Sequence, residues 1–350
     1  MRYATAKNAA LAAALVAMVG AAVWWAKRDE PRHAELPAAA PMDDLALVVA
    51  LLDGAAGEPA RDVLVAGEGE RYLARATDHA IVSVGAGRTL AVLDAPARGM
   101  VLAGGALWVT AGHAVRRIGV GAGGAGAGAG ADAGAGAGAG ASVAQGLQRP
   151  DAIAGDGVAA FVVDVAPATG GTGHAAVVLR LPGDGGPRAE LGRSDGEITN
   201  LALDGESVYW ADRLEGTIVA VPKAGGASRT LATGRGLPGS VVVDGDALYW
   251  VEKRSEAVWT MPKAGGAPPR QLVQDFAGFA HLLVDARGVV WVNEAAVDGE
   301  FRVLMVPRAG GDAIALSDGV DGVEALAGDA AHLYWERDGR ITLVAPPAAR

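Results

Sequence analysis

The segment Leu248-Tyr249-Trp250-Val251 sets four apolar side chains in a row, between Asp244-Gly245-Asp246 and Glu252. Successive side chains of a strand point to opposite faces of its sheet. A strand with one wet face alternates apolar with polar. This one does not, so both of its faces must be covered. The text recurs. Residues 204–212 read DGESVYWAD, 244–252 read DGDALYWVE, 285–294 read DARGVVWVNE and 329–339 read DAAHLYWERDG. From Tyr209 to Tyr249 is 40 residues, from Tyr249 to Val290 is 41, and from Val290 to Tyr334 is 44. A second text keeps step with the first: PGDGGP at 182–187, PKAGGA at 222–227 and 262–267, and PRAGGD at 307–312.

One unit predicts four strands, at 240–244, 247–252, 258–261 and 271–273. The Pro-Lys-Ala-Gly-Gly text turns the chain between the third and fourth, because proline stops a ladder and glycine accepts positive φ. Working backwards, Phe161-Val162-Val163-Asp164 takes the place of Tyr209-Trp210-Ala211-Asp212. So do Leu107-Trp108-Val109-Thr110 and, more faintly, Tyr72-Leu73-Ala74-Arg75. That makes seven units. A period near 40 with strand-like content predicts an all-β, seven-bladed β-propeller, with six blades as the alternative. Each blade is then sandwiched between two others, with Tyr249 packing one way and Trp250 the other.

The last unit ends after 340–344 and Ala345-Pro346-Pro347 with no fourth strand. Residues 45–52 read LALVVALL and belong to no unit. They are expected to fill the vacancy and close the ring, which removes exposed sheet edges. The Gly/Ala loop at 121–141 aligns with the turn between strands three and four of the second unit. It reads as a neutral expansion of that turn, with one charge, Asp132, and no bulky side chain.

The first residues are a different material. Ala9 to Ala26 contains 18 residues without a charge, ending in Trp24-Trp25 before Lys27-Arg28-Asp29-Glu30. As a helix it would be about 27 Å long, enough to cross a bilayer. Residues 1–28 therefore read as a hydrophobic helix that is a signal anchor or a cleaved signal peptide. Cleavage would fall near Ala21 or Ala22; the tryptophan pair suits an uncleaved anchor. Residues 29–43, with Pro31, Pro37 and Pro41, read as a tether, and 44–350 as the propeller. The body is expected on the periplasmic, extracytoplasmic side, membrane-anchored or secreted after cleavage.

Composition narrows the chemistry. The chain has 350 residues, 51% hydrophobic and 20% charged, ample for a large core without staples. It has no cysteine, which excludes disulfides, thiolate metal sites and a cysteine nucleophile. The formal charge is −10 and no Lys/Arg cluster stands out, which argues against nucleic acid as a partner.

The units VYWAD, LYWVE and LYWER, each followed by a hydrophobic strand and a Gly-Gly turn, resemble the YWTD repeats of low-density-lipoprotein-receptor-type propellers, in their bacterial variety. The resemblance covers roughly 153–345 well and 62–118 poorly. It implies a propeller used to recognise other molecules. Only Asp212 keeps the terminal Asp of the motif; Glu252 and Asn293 stand in elsewhere, and Thr110 departs from it.

Candidate sites follow from the repeat. Asp164, Asp212, Glu252 and Asn293 recur two residues past the aromatic position of strand two. A ring of carboxylates could hold a divalent cation, as in the gluconolactonase-like propellers it loosely resembles. Yet equivalent positions in neighbouring sheets lie about 10 Å apart, too far to share an ion at about 2.3 Å. A structural tie at the strand end is the expectation. His79, His113 and His174 each precede strand three, and the same spacing argues against shared zinc. No nucleophile elbow, phosphate loop or HExxH is present. No catalytic residue, cofactor or metal is therefore expected. The loops from strand four to the next strand one are where a ligand is expected. They hold Arg193, Asp195, Arg235, Asp275, Phe276, Phe279 and Asp321. Phe276 and Phe279 could equally fold into the channel mouth as core. The function expected is a non-enzymatic binding or assembly platform of the cell envelope, with a protein or peptide partner. A metal-dependent lactonase or hydrolase and a structural envelope protein are the alternatives.

Overall fold

The fifth unit shows how this sequence makes a sheet. Its strands are Pro238–Asp244, Ala247–Glu252, Ala257–Pro262 and Arg270–Gln274. They pair in sequence order, each antiparallel to the last. The computed structural model describes residues 62–67, 69–120, 140–167, 174–274, 282–284, 287–294, 301–317, 323, 325–328, 332–337 and 340–343. Among these, the chain forms seven such sheets, at 63–92, 97–144, 150–194, 198–232, 238–274, 282–315 and 325–343. The first six have four strands and the seventh has three. The expected helix, tether and closing strand 45–52 lie outside the described residues, as does nearly all of the Gly/Ala loop. Among the described residues no helix is long and apolar enough to cross a membrane.

The first strand of every sheet lies against the first strand of the next, and the seventh returns to the first. The sheets are therefore blades around an axis, with their first strands innermost: a seven-bladed β-propeller. Seven apolar clusters fill the seven gaps. Tyr209 packs with Val241 and Leu248 of the fifth blade, whereas Trp210 packs with Phe161 and Val163 of the third. Tyr249 and Trp250 divide in the same way between blades six and four. Leu64 and Leu73 of the first blade meet Ala325, Ala327 and Tyr334 of the seventh, which closes the ring.

The second blade departs from the aligned text by one residue. There Leu107 faces the preceding blade and Trp108 the following one, the reverse of Tyr209 and Trp210. Ala111 pairs with Ala97, the first residue of its blade, as Asp212 pairs with Ile198 and Glu252 with Pro238. Ala111 and not Thr110 thus holds the place of the motif Asp. A slip of one residue exchanges the faces of the whole strand. It is tolerated because every residue from Ala106 to Ala111 is apolar or threonine and buried.

The repeated turn has a partner in the preceding blade. Lys223 reaches Asp156 at 3.1 Å, Lys263 reaches Asp204 at 3.0 Å, and Arg308 reaches Asp244 at 2.6 Å. Each cation sits in a Pro-Lys/Arg-Ala-Gly turn and each aspartate in the Asp-Gly turn one blade earlier. The outermost strands add to this, with Arg229 donating to the Ala264 carbonyl and Arg270 to that of Ala309. Three successive gaps thus carry the same latch. Burial pushes the Asp204 carboxyl up, but the amides of Glu206 and Ser207, Lys263 and the Tyr209 hydroxyl outweigh it and bring it down to about 2. Burial and Asp204 together push the Tyr209 hydroxyl up to about 12.

A carboxylate held below its ordinary 3.8 stabilises the fold above that pH, and the contribution disappears as pH falls toward about 2. Asp204→Asn is expected to lower the urea midpoint at pH 6 and to flatten its fall between about pH 4 and pH 2. Parallel acid profiles for the two proteins would exclude Asp204 as the group responsible.

Candidate functional site

In an up-and-down blade, the turns from strand two to three and the connections from strand four to the next strand one share one end of the ring. The strand-two carboxylates lie at that end. The Asp164 carboxylate accepts from the amides of Gln148 at 3.1 Å and Arg149 at 2.8 Å. Asp212 accepts from the Ser194 hydroxyl and from the Glu215 amide at 2.9 Å, so it ties a connecting loop to a hairpin turn. Gly196 presses against it, leaving no room for a Cβ. Glu252 accepts from Arg235 Nε at 2.5 Å, Trp250 Nε1 at 3.0 Å, Ser255 Oγ at 3.3 Å and the Gly236 amide at 3.3 Å. All three are buried. Their oxygens hold the loops in place, and among the described residues no three metal-binding side chains converge. His113 does similar work, its Nδ1 lying 3.0 Å from the Leu147 carbonyl and 2.8 Å from that of Gln148.

The loop residues singled out from the sequence fall into different settings. Arg193 lies at the end of the strand Ala189–Ser194 and pairs with Glu190 at 3.1 Å, half exposed. Asp195 follows it in the loop, exposed. Arg235 turns inward. Besides Glu252, its guanidinium lies 4.2 Å from the Trp259 ring centre and 5.8 Å from that of Trp250. It is a structural cation, not a surface one. Asp275, Phe276, Phe279 and Asp321 lie outside the described residues.

The sequence reading did not single out the innermost strands, yet they carry a repeated irregularity at this end. In the second blade, the register shifts between Ala97 and Gly99, leaving Arg98 extra. In the third it shifts between Pro150 and Ile153, opposite Asp164 and Val162. In the fourth, Thr199 and Asn200 share one place; in the fifth, Ser240 and Val241 do. These are β-bulges, which re-aim side chains at barrel rims and beside binding sites. Here they fall at Arg98, Asp151, Thr199 and Ser240, near the start of the innermost strands and so at the same end of the ring as the strand-two carboxylates. Ser240 has φ 48° and nearby Leu237 has φ 55°, a left-handed backbone that L-residues adopt at a cost. The signal in the sequence is a small or polar residue placed second in an otherwise apolar strand, as in Ala97-Arg98, Pro150-Asp151 and Ile198-Thr199.

The polar groups at this end form two separate sets of contacts. Asp151 lies 3.4 Å from Arg98 and 3.2 Å from Arg149. Burial pushes its carboxyl up, and the two arginines only partly offset this. Thr110 Oγ1 donates toward the Asp151 carbonyl at 2.9 Å, and Gly99 leaves space for that close approach. The Asn200 amide clasps both backbone groups of Val241, at 2.7 and 2.9 Å. Thr199 Oγ1 is buried without a hydrogen-bond partner. The arrangement can offer the half-exposed Arg98 guanidinium and the partly exposed Asp151 carboxylate at this end of the ring.

No protein-family model matches the chain, and no curated protein does. Among solved structures, a streptogramin B lyase is similar with TM-score 0.57 and 12% identity, over 82% of this chain and 95% of that one. A catalytically inactive virginiamycin B lyase from Staphylococcus aureus, solved with quinupristin, gives 0.56 and 12%, over 85% and 96%. The computationally designed Ika8 protein gives 0.55 and 13%, over 80% and 82%. At these identities the likeness shows the β-propeller fold alone.

Proposed function

We propose that this ring is a non-enzymatic binding or assembly platform of the cell envelope, used in the manner of YWTD-type propellers to hold another protein or peptide. One observation supports the reading above the others. The recurring carboxylates hold loop amides, hydroxyls and Arg235, while Arg98 and Asp151, at bulges of the innermost strands, keep part of their side chains exposed at the same end of the ring. Groups of the first kind fix a scaffold; groups of the second kind offer hydrogen bonds to something that docks. In this reading residues 9–26 hold the ring at the inner membrane, 29–43 act as a tether, and the ring stands on the periplasmic side. Capture of the full-length chain from solubilised envelopes, read by mass spectrometry, is expected to yield one partner in near-stoichiometric amount. No enriched protein, together with one Ca²⁺ or Zn²⁺ per chain and lactone hydrolysis, would overturn it.

We further propose that residues 45–52 supply the outermost strand of the seventh blade. Its third strand, Arg340–Leu343, has no neighbour on its outer side among the described residues, and Leu343 is 49% exposed. Residues 53–62 could reach about 33 Å when extended, ample to cross one blade from its outer edge to the axis. Deleting 45–52 is expected to lower the thermal transition by a few degrees and to cause self-association at micromolar concentration. An unchanged transition in a monomeric protein would exclude the strand from the fold.

A further inference from the structure

We infer that the buried carboxylate of Glu336 takes the guanidinium of Arg61, so that the segment leading into the first blade is locked across the gap that closes the ring. The lock does not depend on the ring's acting as a platform.

The carboxylate stands where the repeat has none. Tyr334 packs into the gap between blades seven and one, with Leu64 and Leu73. Glu336, two residues on, faces the same gap and is wholly buried. It pairs with Ala325, the first residue of that blade's innermost strand, at the end of the ring where one blade connects to the next. The other six blades fill this place with Ala74, Thr110, Val163, Ala211, Val251 and Val292. A carboxylate taken out of water needs a counter-charge or a proton.

The loop on this side of the ring lacks its usual holder. In blades three, four and five a strand-two carboxylate accepts from the loop that enters its own blade: Asp164 from Gln148 and Arg149, Asp212 from Ser194, and Glu252 from Arg235 and Gly236. Blade one has Arg75 at that place, and Arg75 pairs with Asp78 of its own hairpin turn. Glu336 supplies the carboxylate from the opposite wall of the gap.

Placement and charge name the cation. Asp62 already lies at this corner, where its carboxylate accepts the Ala76 amide at 2.7 Å. Val63 then begins the innermost strand of blade one, which lies against Ala325–Gly328 of blade seven. Arg61 precedes Asp62, and it is the only lysine or arginine between Arg32 and Arg71. The other charged groups of the two blades are placed differently. Arg71 lies 5.2 Å from the Tyr334 ring centre, toward the opposite end of the strand. His332 is at that end too, its ring 5.9 Å from that of Tyr334. Arg337 follows Glu336 and so shares the face of Trp335, toward blade six. Arg340 pairs with Arg337 and is exposed.

Urea unfolding of the full-length chain in mild detergent, at pH 5 and pH 8, tests the pair. In Arg61→Met, Glu336 has no cation and must take up a proton on folding. That uptake costs more the higher the pH, so stability kept near pH 5 is lost as pH rises. The folding constant is expected to fall about a hundredfold or more at pH 8, as when one partner is stripped from a buried pair, and much less at pH 5. Adding Glu336→Met should regain most of the loss and remove its pH dependence. Equal losses at both pH values, no loss at either, or losses that add in the double variant would each overturn the pair. If Arg61→Met is unfolded at both, the double variant decides: it folds if the stranded charge is the cause and stays unfolded if it is not. An unchanged transition on deleting 45–52, beside a pH-dependent loss in Arg61→Met, removes the closing strand and leaves the pair.

Discussion

Trp250→Ala is expected to destabilise the ring by about 3–5 kcal/mol, the range for emptying a fully buried aromatic site. For a chain of this size that corresponds to a fall of roughly 6–10 °C in the thermal transition. The indole is wholly buried, between Tyr209, Ile218 and Leu248. It therefore fills the gap between blades four and five. Its Nε1 also donates to Glu252, so removal leaves that carboxylate one donor short. Trp250→Phe keeps most of the packing and should cost less. Leu214→Ala is the matched control, because Leu214 is 65% exposed at a hairpin turn. It should stay within about 0.5 kcal/mol of wild type. Urea denaturation separates these outcomes. Equal costs at Trp250 and Leu214 would mean that the second strands are not sandwiched between blades.

The same residues show what could be read in advance. The strand Ala247–Glu252 was predicted at its observed bounds, because an apolar run between turn residues has few other readings. The opposite aspects of Tyr249 and Trp250 followed from the two-residue period of a strand. The one-residue slip in blade two did not follow. Leu107-Trp108 reads like Tyr209-Trp210, but the face a residue takes depends on where its strand begins pairing. Tight turns decide that: Ala111 pairs with Ala114 across two residues, whereas Asp212 pairs with Thr217 across four. The latches were hidden for another reason. Lys263 and Asp204 are far apart in sequence, and only the packing of blade five on blade four brings them to 3.0 Å. Arg235 looked like a loop cation free to meet a ligand. Its stacking on Trp259 depends on the third strand of a neighbouring blade, which the loop text does not contain. The bulges were the least legible. In the fifth blade the bulge goes with left-handed backbone at Leu237 and Ser240, residues with no sequence-level preference for positive φ.

Those two strained residues connect the scaffold to the mouth, and Glu252 is what holds the loop between them. Its side chain is 4% exposed, and that of its partner Arg235 is 15% exposed. Glu252→Ala is expected to cost about 3–5 kcal/mol, because it leaves a guanidinium buried against tryptophan with no counter-charge. It also strips acceptors from the Gly236 amide, Ser255 and Trp250. Replacing Arg235 by methionine in the same chain should recover part of that loss, since the unpaired charge is then gone. If the double variant is as unstable as the sum of its parts, the ion pair is not the source of the cost. The local consequence is distinct from the global one. Gly236 and Leu237 lead directly into the bulge at Ser240 and Val241, and the Val241 amide donates to Asn200 at 2.9 Å. Without Glu252, the left-handed residues lose the contact that opposes their relaxation. Amide exchange at Val241 should then quicken more than exchange at Val258, in the third strand of the same blade. Uniform acceleration across the blade would show that Glu252 secures the fold as a whole and does not hold the channel mouth in its strained shape.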